Sequence, residues 1–504
     1  MMGERLPVIY VRGFGGGQSG IDKVVDDPFY GFNEGSTHIR VGAQGTPQFY
    51  QFEGPLLRLV LEQDYAVAVQ GSQERILLDA AEGSLEPASV WVYRFYDANA
   101  ATFGAEPKPY RIEDAAKGLA DFIWLVLAKT KNASRVNLVA HSMGGLICRS
   151  ALQRYLPKPE TVVSKLFTIG TPHGGIDPEL GGPIGDWIID KFGPDGSDIF
   201  QPRRMKQYLL PDGDDGTAHI DPKTGAWDPR RMIGTFPVSR VLSVVGTDAR
   251  DYDVAMGLSR MAMGPQSDGL VAIRNAYVRG SARAYVHRSH SGRYGLVNSE
   301  EVYQNLKRFL FGTLRVELGL RSINVDNGSD QVWQAEARLA VRGLPVLLHE
   351  QTAEHYCPVD LKAEAEARPT PTAPIPLVST FLLPGNRDFA RYALSLTVIC
   401  LDQRGGIFGF GDHLEQIGDW QDILITDVAA EEDGTVKEVR WQWNSELAGR
   451  IADKTVLDNK LDNKLDWTAG GDAGGWRAEI PFPPMGQKLL GDNAALALSV
   501  SRWD

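Results

Sequence analysis

The sequence predicts an α/β domain, a mostly parallel sheet with helices on both faces, followed by an all-β sandwich-like domain. Three observations predict it. Up to about residue 312, short apolar runs alternate with amphipathic helical stretches. Beyond Gly312 the runs alternate apolar and polar residues with a period of two. The chain has 504 residues, 43% hydrophobic and 23% charged, enough for two or three globular domains.

The candidate strands of the first region are "PVIYVRG" (7–13), "SVWVYRFYD" (89–97), "RVNLVAHS" (135–142), "KLFTIGTP" (165–172), "RVLSVVGTD" (240–248) and "RAYVHRSH" (283–290). Several are nearly continuous in Val, Ile, Leu and Phe, which suits strands buried on both faces. Between them, "IEDAAKGLADFIWLVLAKT" (112–130) sets Ala116, Leu119, Phe122, Ile123 and Val126 on one helical face. "SEEVYQNLKRFLFG" (299–312) opens on a Ser N-cap candidate and ends on glycine, as a closing helix would.

Residues 1–312 are therefore read as one domain and 313–504 as a second. The second contains the alternating runs "LRVELGLRSINVD" (314–326), "QAEARLAVRG" (334–343), "ARYALSLTVICLD" (390–402), "VKEVRWQWN" (436–444) and "ALALSVSRW" (495–503). The Pro-rich "EARPTPTAPIPL" (366–377) reads as an extended loop or edge. "LDNKLDNKLDW" (457–467) reads as a surface turn or short helix, because the Gly-containing loop that would make its aspartates a calcium site is missing.

A formal net charge of -12 disfavours nucleic-acid binding, which needs a basic patch. Three widely spaced cysteines, Cys148, Cys357 and Cys400, give neither a disulfide framework nor a metal knuckle. The opening "MMGERLPVIYV" lacks the long apolar segment and cleavage site of a signal peptide, so the expected location is cytoplasmic, with export lacking a cleaved signal or a trimmed leader as alternatives. No run of about 18 apolar residues predicts a spanning helix.

The stretch "VNLVAHSMGGLICRSAL" (136–152) runs an apolar strand into a serine, then into glycines and a helical pattern. Small-x-Ser-x-Gly between a strand and a helix is the signature of a nucleophile elbow, here Ala140-His141-Ser142-Met143-Gly144. A serine hydroxyl is a poor nucleophile at neutral pH and needs a base, a group orienting that base, and donors for an oxyanion. The donors expected are the N–H of Met143 and that of Phe14, in the Gly-rich turn "VRGFGGG" after the first strand. For the base, His290 falls on the loop beyond the last strand and is preferred over His287 within the strand pattern. For the acid, Asp268 in a tight Ser-Asp-Gly turn is preferred over Asp248 at a strand end. His173 in "TPHGG" has no second ligand at helical spacing and reads as a structural residue, so no metal and no cofactor are expected.

Four stretches carry a resemblance over residues 6 to about 312: "VRGFGG", "AHSMGG", "TIGTPHGG" (168–175), and "SDGLV" ahead of "HSGRYGLVNS". Together they resemble the α/β-hydrolase superfamily, specifically its bacterial lipase and esterase branch, whose chain order of serine, acid and histidine is that of Ser142, Asp268 and His290. Alanine in the first elbow position resembles small bacterial lipases, and "SDGLV" resembles the acid-bearing turn of larger ones. Arg12 departs from the histidine the family often has there. The second domain resembles no specific family.

The function expected is a serine carboxylic-ester hydrolase acting through an acyl-enzyme on esters with apolar acyl chains. Phospholipase, thioesterase or acyltransferase action by the same residues, or a silent hydrolase scaffold with a lipid- or partner-binding β domain, are the alternatives. The insertion around 174–238 is read as a cap or lid, with the apolar side chains of "DWIIDKF" (186–192) and the Met-containing "VAMGLSRMAMG" (254–264) as acyl-pocket wall. The partner expected is an ester or lipid substrate, with contact to a lipid interface. Nothing in the sequence sets the oligomeric state.

Overall fold

The computed structural model describes residues 5–13, 39–41, 47–49, 54–67, 73–95, 111–176, 198–221, 225–250, 265–290, 295–324, 331–368, 370–383, 389–404, 413–431, 433–447, 461, 463–465, 468–470 and 475–504. The chain divides into two compact units, residues 4–306 and 307–504.

The first unit is built on seven strands: β1 (Val8–Val11), β2 (Ala66–Val67), β3 (Ser89–Val92), β4 (Val136–His141), β5 (Val163–Ile169), β6 (Val241–Gly246) and β7 (Ala282–Val286). They lie in the order β2-β3-β1-β4-β5-β6-β7, with every pair parallel. Every residue of β1, β4, β5 and β6 is buried, which is why these strands read as apolar runs without alternation. The edge strand β2 has only two residues, too short to show a period.

Parallel neighbours need crossover connections, and helices supply several of them. They are α1 (Gly54–Gln63), α2 (Gln73–Asp79), α3 (Ile112–Lys129), α4 (Met143–Ser150) and α5 (Pro202–Leu209), while α6 (Glu300–Phe311) follows β7. The face expected of α3 is buried: Ala116, Leu119, Phe122, Ile123 and Val126 all lie in the core. Glu113 and Asp114 in its first turn and Lys129 in its last complement the helix dipole. Ser299 caps α6 as the sequence indicates, its Oγ accepting the Val302 N–H at 3.2 Å.

The second unit holds two antiparallel sheets. One orders its strands as 375–382, 314–321, 495–502, 475–481 and 468–470; the other as 347–351, 331–341, 390–404, 413–430, 436–443 and 463–464, with 359–360 also paired to 331–341. Alternate residues of each sheet, such as Leu314, Val316 and Leu320 from one and Ala335, Ala337 and Leu339 from the other, join a single apolar cluster. That makes a sandwich, as the period-two runs predict.

Pro376 falls in Ile375–Leu382, an edge strand, where a residue without an N–H is tolerated. One expectation is corrected. Within the "LDNK" repeat, Asn463–Lys464 pairs as a strand with Arg440–Trp441 rather than forming helix or turn, while residues 457–460, 462, 466 and 467 lie outside the described residues. Cys148, Cys357 and Cys400 are buried and are not joined in disulfides. No helix among the described residues is long and apolar enough to cross a membrane.

Candidate active site

In a doubly wound sheet, ligands gather at the carboxyl ends of strands where the strand order reverses. Here the reversal falls at β1, with β3 on one side and β4 on the other. Strand β4 delivers Ser142 to that point, and β1 delivers Arg12 and Gly13.

Ser142 itself carries the turn from β4 into α4. Its φ of 52° and ψ of -129° form a combination that a residue with a side chain avoids, so surrounding contacts must impose it. The Ser142 N–H donates to the Ile169 carbonyl at 2.8 Å, tying the turn to β5. On the other side α4 lies so close to the end of β1 that a Cβ on Gly144 would collide with the Val11 carbonyl oxygen and stand 2.6 Å from that of Arg12. Both obstacles are backbone and cannot swing away. The glycine of the elbow motif is thus a packing requirement, and Gly144→Ala should cost about 1–3 kcal/mol of stability by forcing strand and helix apart. Chemical denaturation measures this; a variant as stable as the parent would contradict it.

Asp268 sits in the predicted Ser-Asp-Gly turn. Its Oδ1 accepts the N–H groups of Leu270 at 3.0 Å and Val271 at 2.7 Å, which fixes the carboxylate in one orientation. Its Oδ2 is then left to accept Nδ1–H of His290 at 2.8 Å. The same two residues are joined again through the backbone, the His290 N–H donating to the Asp268 carbonyl at 2.8 Å. With its proton on Nδ1, the imidazole presents a bare Nε2, and this lies 2.9 Å from Ser142 Oγ, close enough to accept the hydroxyl proton. Asp268 is fully buried and His290 is 2% exposed, so water competes little for either contact.

The alternatives point elsewhere. Asp248 accepts the N–H of Arg250 at 2.8 Å, and His287 Nδ1 lies 3.2 Å from Thr247 Oγ1. Met143 opens α4, so its N–H belongs to the first helical turn, where no intrahelical acceptor exists. Phe14 lies outside the described residues, as do "DWIIDKF" and residues 254–264. Of the expected cap, α5 is described and packs on α4, with Ser150 Oγ donating to the Tyr208 carbonyl at 2.6 Å.

His173 is buried, its Nε2 3.1 Å from Thr168 Oγ1, and burial holds its pKa well below the usual histidine range.

Two buried polar residues beside the elbow were not singled out by the sequence. Arg149, fully buried on α4, donates to the carbonyls of His173 at 3.4 Å and Arg231 at 2.7 Å, and burial pushes its pKa down to about 10. His141 ends β4 with its Nε2 3.2 Å from the His290 carbonyl. A charged or imidazole side chain interrupting so apolar a stretch is the signal that marks both.

Residues 50–184 match a family model described as the alpha/beta hydrolase fold, a span that includes Ser142 and stops short of Asp268 and His290. No curated protein matches the chain. Among solved structures, the product of the gene lin2722 of Listeria innocua is similar at 17% identity, covering 61% of this chain and 94% of that one with a TM-score of 0.28. A protein of Lactobacillus plantarum described as a candidate cell surface hydrolase is similar at 16% identity, covering 61% and 92% with a TM-score of 0.28.

Proposed function

Because the N-terminal unit has the α/β-hydrolase fold, we propose that the protein is a serine carboxylic-ester hydrolase of the lipase and esterase type. The reading is carried by one observation, the unbroken hydrogen-bonded chain Ser142–His290–Asp268 at 2.9 and 2.8 Å. Ser142 Oγ attacks the ester carbonyl while His290 Nε2 takes its proton, and Asp268 holds the imidazole in the tautomer that can do so. Negative charge gathers on the former carbonyl oxygen beside the N-terminus of α4, where the Met143 N–H and the helix dipole stabilise it. Phe14 is assigned the second donor on sequence grounds. The imidazolium then protonates the departing alcohol, and a water deprotonated by His290 releases the acid from the acyl-enzyme.

The preference for apolar acyl chains rests on the residue types of "DWIIDKF" and "VAMGLSRMAMG". A fluorophosphonate should label Ser142 in the folded protein, and a series of nitrophenyl esters should show kcat/KM rising with acyl length beyond acetate. Folded protein that remains unlabelled at Ser142 and turns over no ester overturns the assignment. A labelled protein whose kcat/KM is highest on acetate retains the mechanism and loses the apolar substrate class.

A further inference from the structure

The histidine that precedes the nucleophile has no part in the proton transfers above, yet it contacts the backbone of the base. His141 is buried, 8% exposed, at the end of a strand whose other residues are apolar or small apart from Asn137. Its Nε2 lies 3.2 Å from the carbonyl oxygen of His290. A carbonyl can only accept, so this Nε2 carries the proton. The two imidazole rings stand 5.1 Å apart, tilted by 38°. On its other edge the ring meets the end of β1, where a Cβ on Gly13 would come within 3.0 Å of His141 Nδ1.

Resting on the hydrolase reading, we infer that His141 is a positioning residue for the base: it anchors the His290 carbonyl and backs the His290 ring, setting Nε2 at its distance from Ser142. Both backbone groups of His290 are then held, its N–H by the Asp268 carbonyl and its C=O by His141. Each bond fixes one of the two peptide planes that flank His290, and together they hold the backbone from which the imidazole projects. The anchor is also electrically silent. Burial, and secondarily the nearby His290, push the His141 pKa down to about 3, so its ring stays neutral and does not oppose the imidazolium that forms at His290 during turnover. Displacement of a reacting group by about 1 Å is enough to slow an enzyme on the order of 10²-fold, so a single anchoring bond has leverage.

The test uses three variants of the full chain. His141→Gln keeps an amide N–H that can reach the carbonyl, whereas His141→Leu and His141→Phe fill the space without a donor. Folding is followed by thermal melting, turnover by kcat and KM on one nitrophenyl ester, and base competence by the rate at which a fluorophosphonate labels Ser142. The expected result is a 10- to 100-fold drop in kcat and in labelling rate for Leu and Phe, on the order of the displacement effect above. KM should stay within about twofold, and Gln should lie within about threefold of the parent. Leu or Phe variants that match Gln in rate overturn the inference. So do donor-less variants that fail to fold where Gln folds, since the bond would then be structural, and a Gln variant that falls with them. Wild-type protein that is not labelled at Ser142 would instead remove the hydrolase reading itself, which keeps the two failures distinct.

Discussion

Replacing Ser142 or His290 by alanine should lower kcat on nitrophenyl esters by on the order of 10⁵–10⁶-fold, since in the proposed mechanism nucleophile and base act as a unit and the loss of either removes the covalent route. Asp268→Asn costs less, about 10⁴-fold, because the asparagine amide can donate to His290 Nδ1 and so stabilise the tautomer with its proton on Nε2, which cannot accept from Ser142. The control is Asp248→Asn. That carboxylate caps a backbone N–H two residues on, so its loss should leave kcat within about twofold. Steady-state kinetics on the four purified variants check the set. An active Asp268→Asn beside an inactive Asp248→Asn would reassign the acid, and a fully active Ser142→Ala would end the mechanism.

Stability should fall steeply as the solution is acidified below about pH 6.5, because burial disfavours the charged forms of His141 and His173. His141 and His173 both have pKa values lowered by burial, that of His141 to about 3. Below the ordinary histidine pKa the unfolded chain binds a proton at each of these two positions that the folded chain does not, so protonation favours unfolding. Stability is therefore full above about pH 6.5 and is lost as pH falls toward the folded-state values. Each histidine contributes a slope of about 1.4 kcal/mol per pH unit in that window. Denaturant titrations at pH 6 and pH 5, above the range where carboxylates titrate, should show the loss. His173→Gln should reduce the slope by about one proton's worth, and so should His141→Gln. Variants with the parental slope would show that neither ring is held neutral.

Much of the fold was legible because its signals are local. A strand buried on both faces is mostly apolar along its length, and β1, β4, β5 and β6 are buried at every position. Where inward positions carry polar groups the signal fails. The strand His413–Ala430 places Asp422 and Thr426 among its inward-facing residues; Asp422 is buried at 6% exposure because Ser445 Oγ and the Ser445 N–H satisfy its carboxylate. That partner is 23 residues away, so a window along the chain sees only an aspartate where an apolar residue should be.

The sequence by itself determined the strand-to-helix turn at Ser142, the glycine it needs at 144, and the Ser-Asp-Gly turn around Asp268, since each depends on backbone geometry within a few residues. What it left open was which acid meets which histidine. Local pattern prefers Asp268 over Asp248 and His290 over His287, but it cannot bring the preferred pair together. The tertiary structure distinguishes them: the His290 contact to Asp268 spans 22 residues and that to Ser142 spans 148. Hydrogen bonds at such separations depend on where loops close over the sheet, to within a fraction of an ångström, and no periodicity encodes that. The same holds for His141, whose anchoring contact with the His290 carbonyl spans 149 residues and is absent from any local reading of the strand it ends.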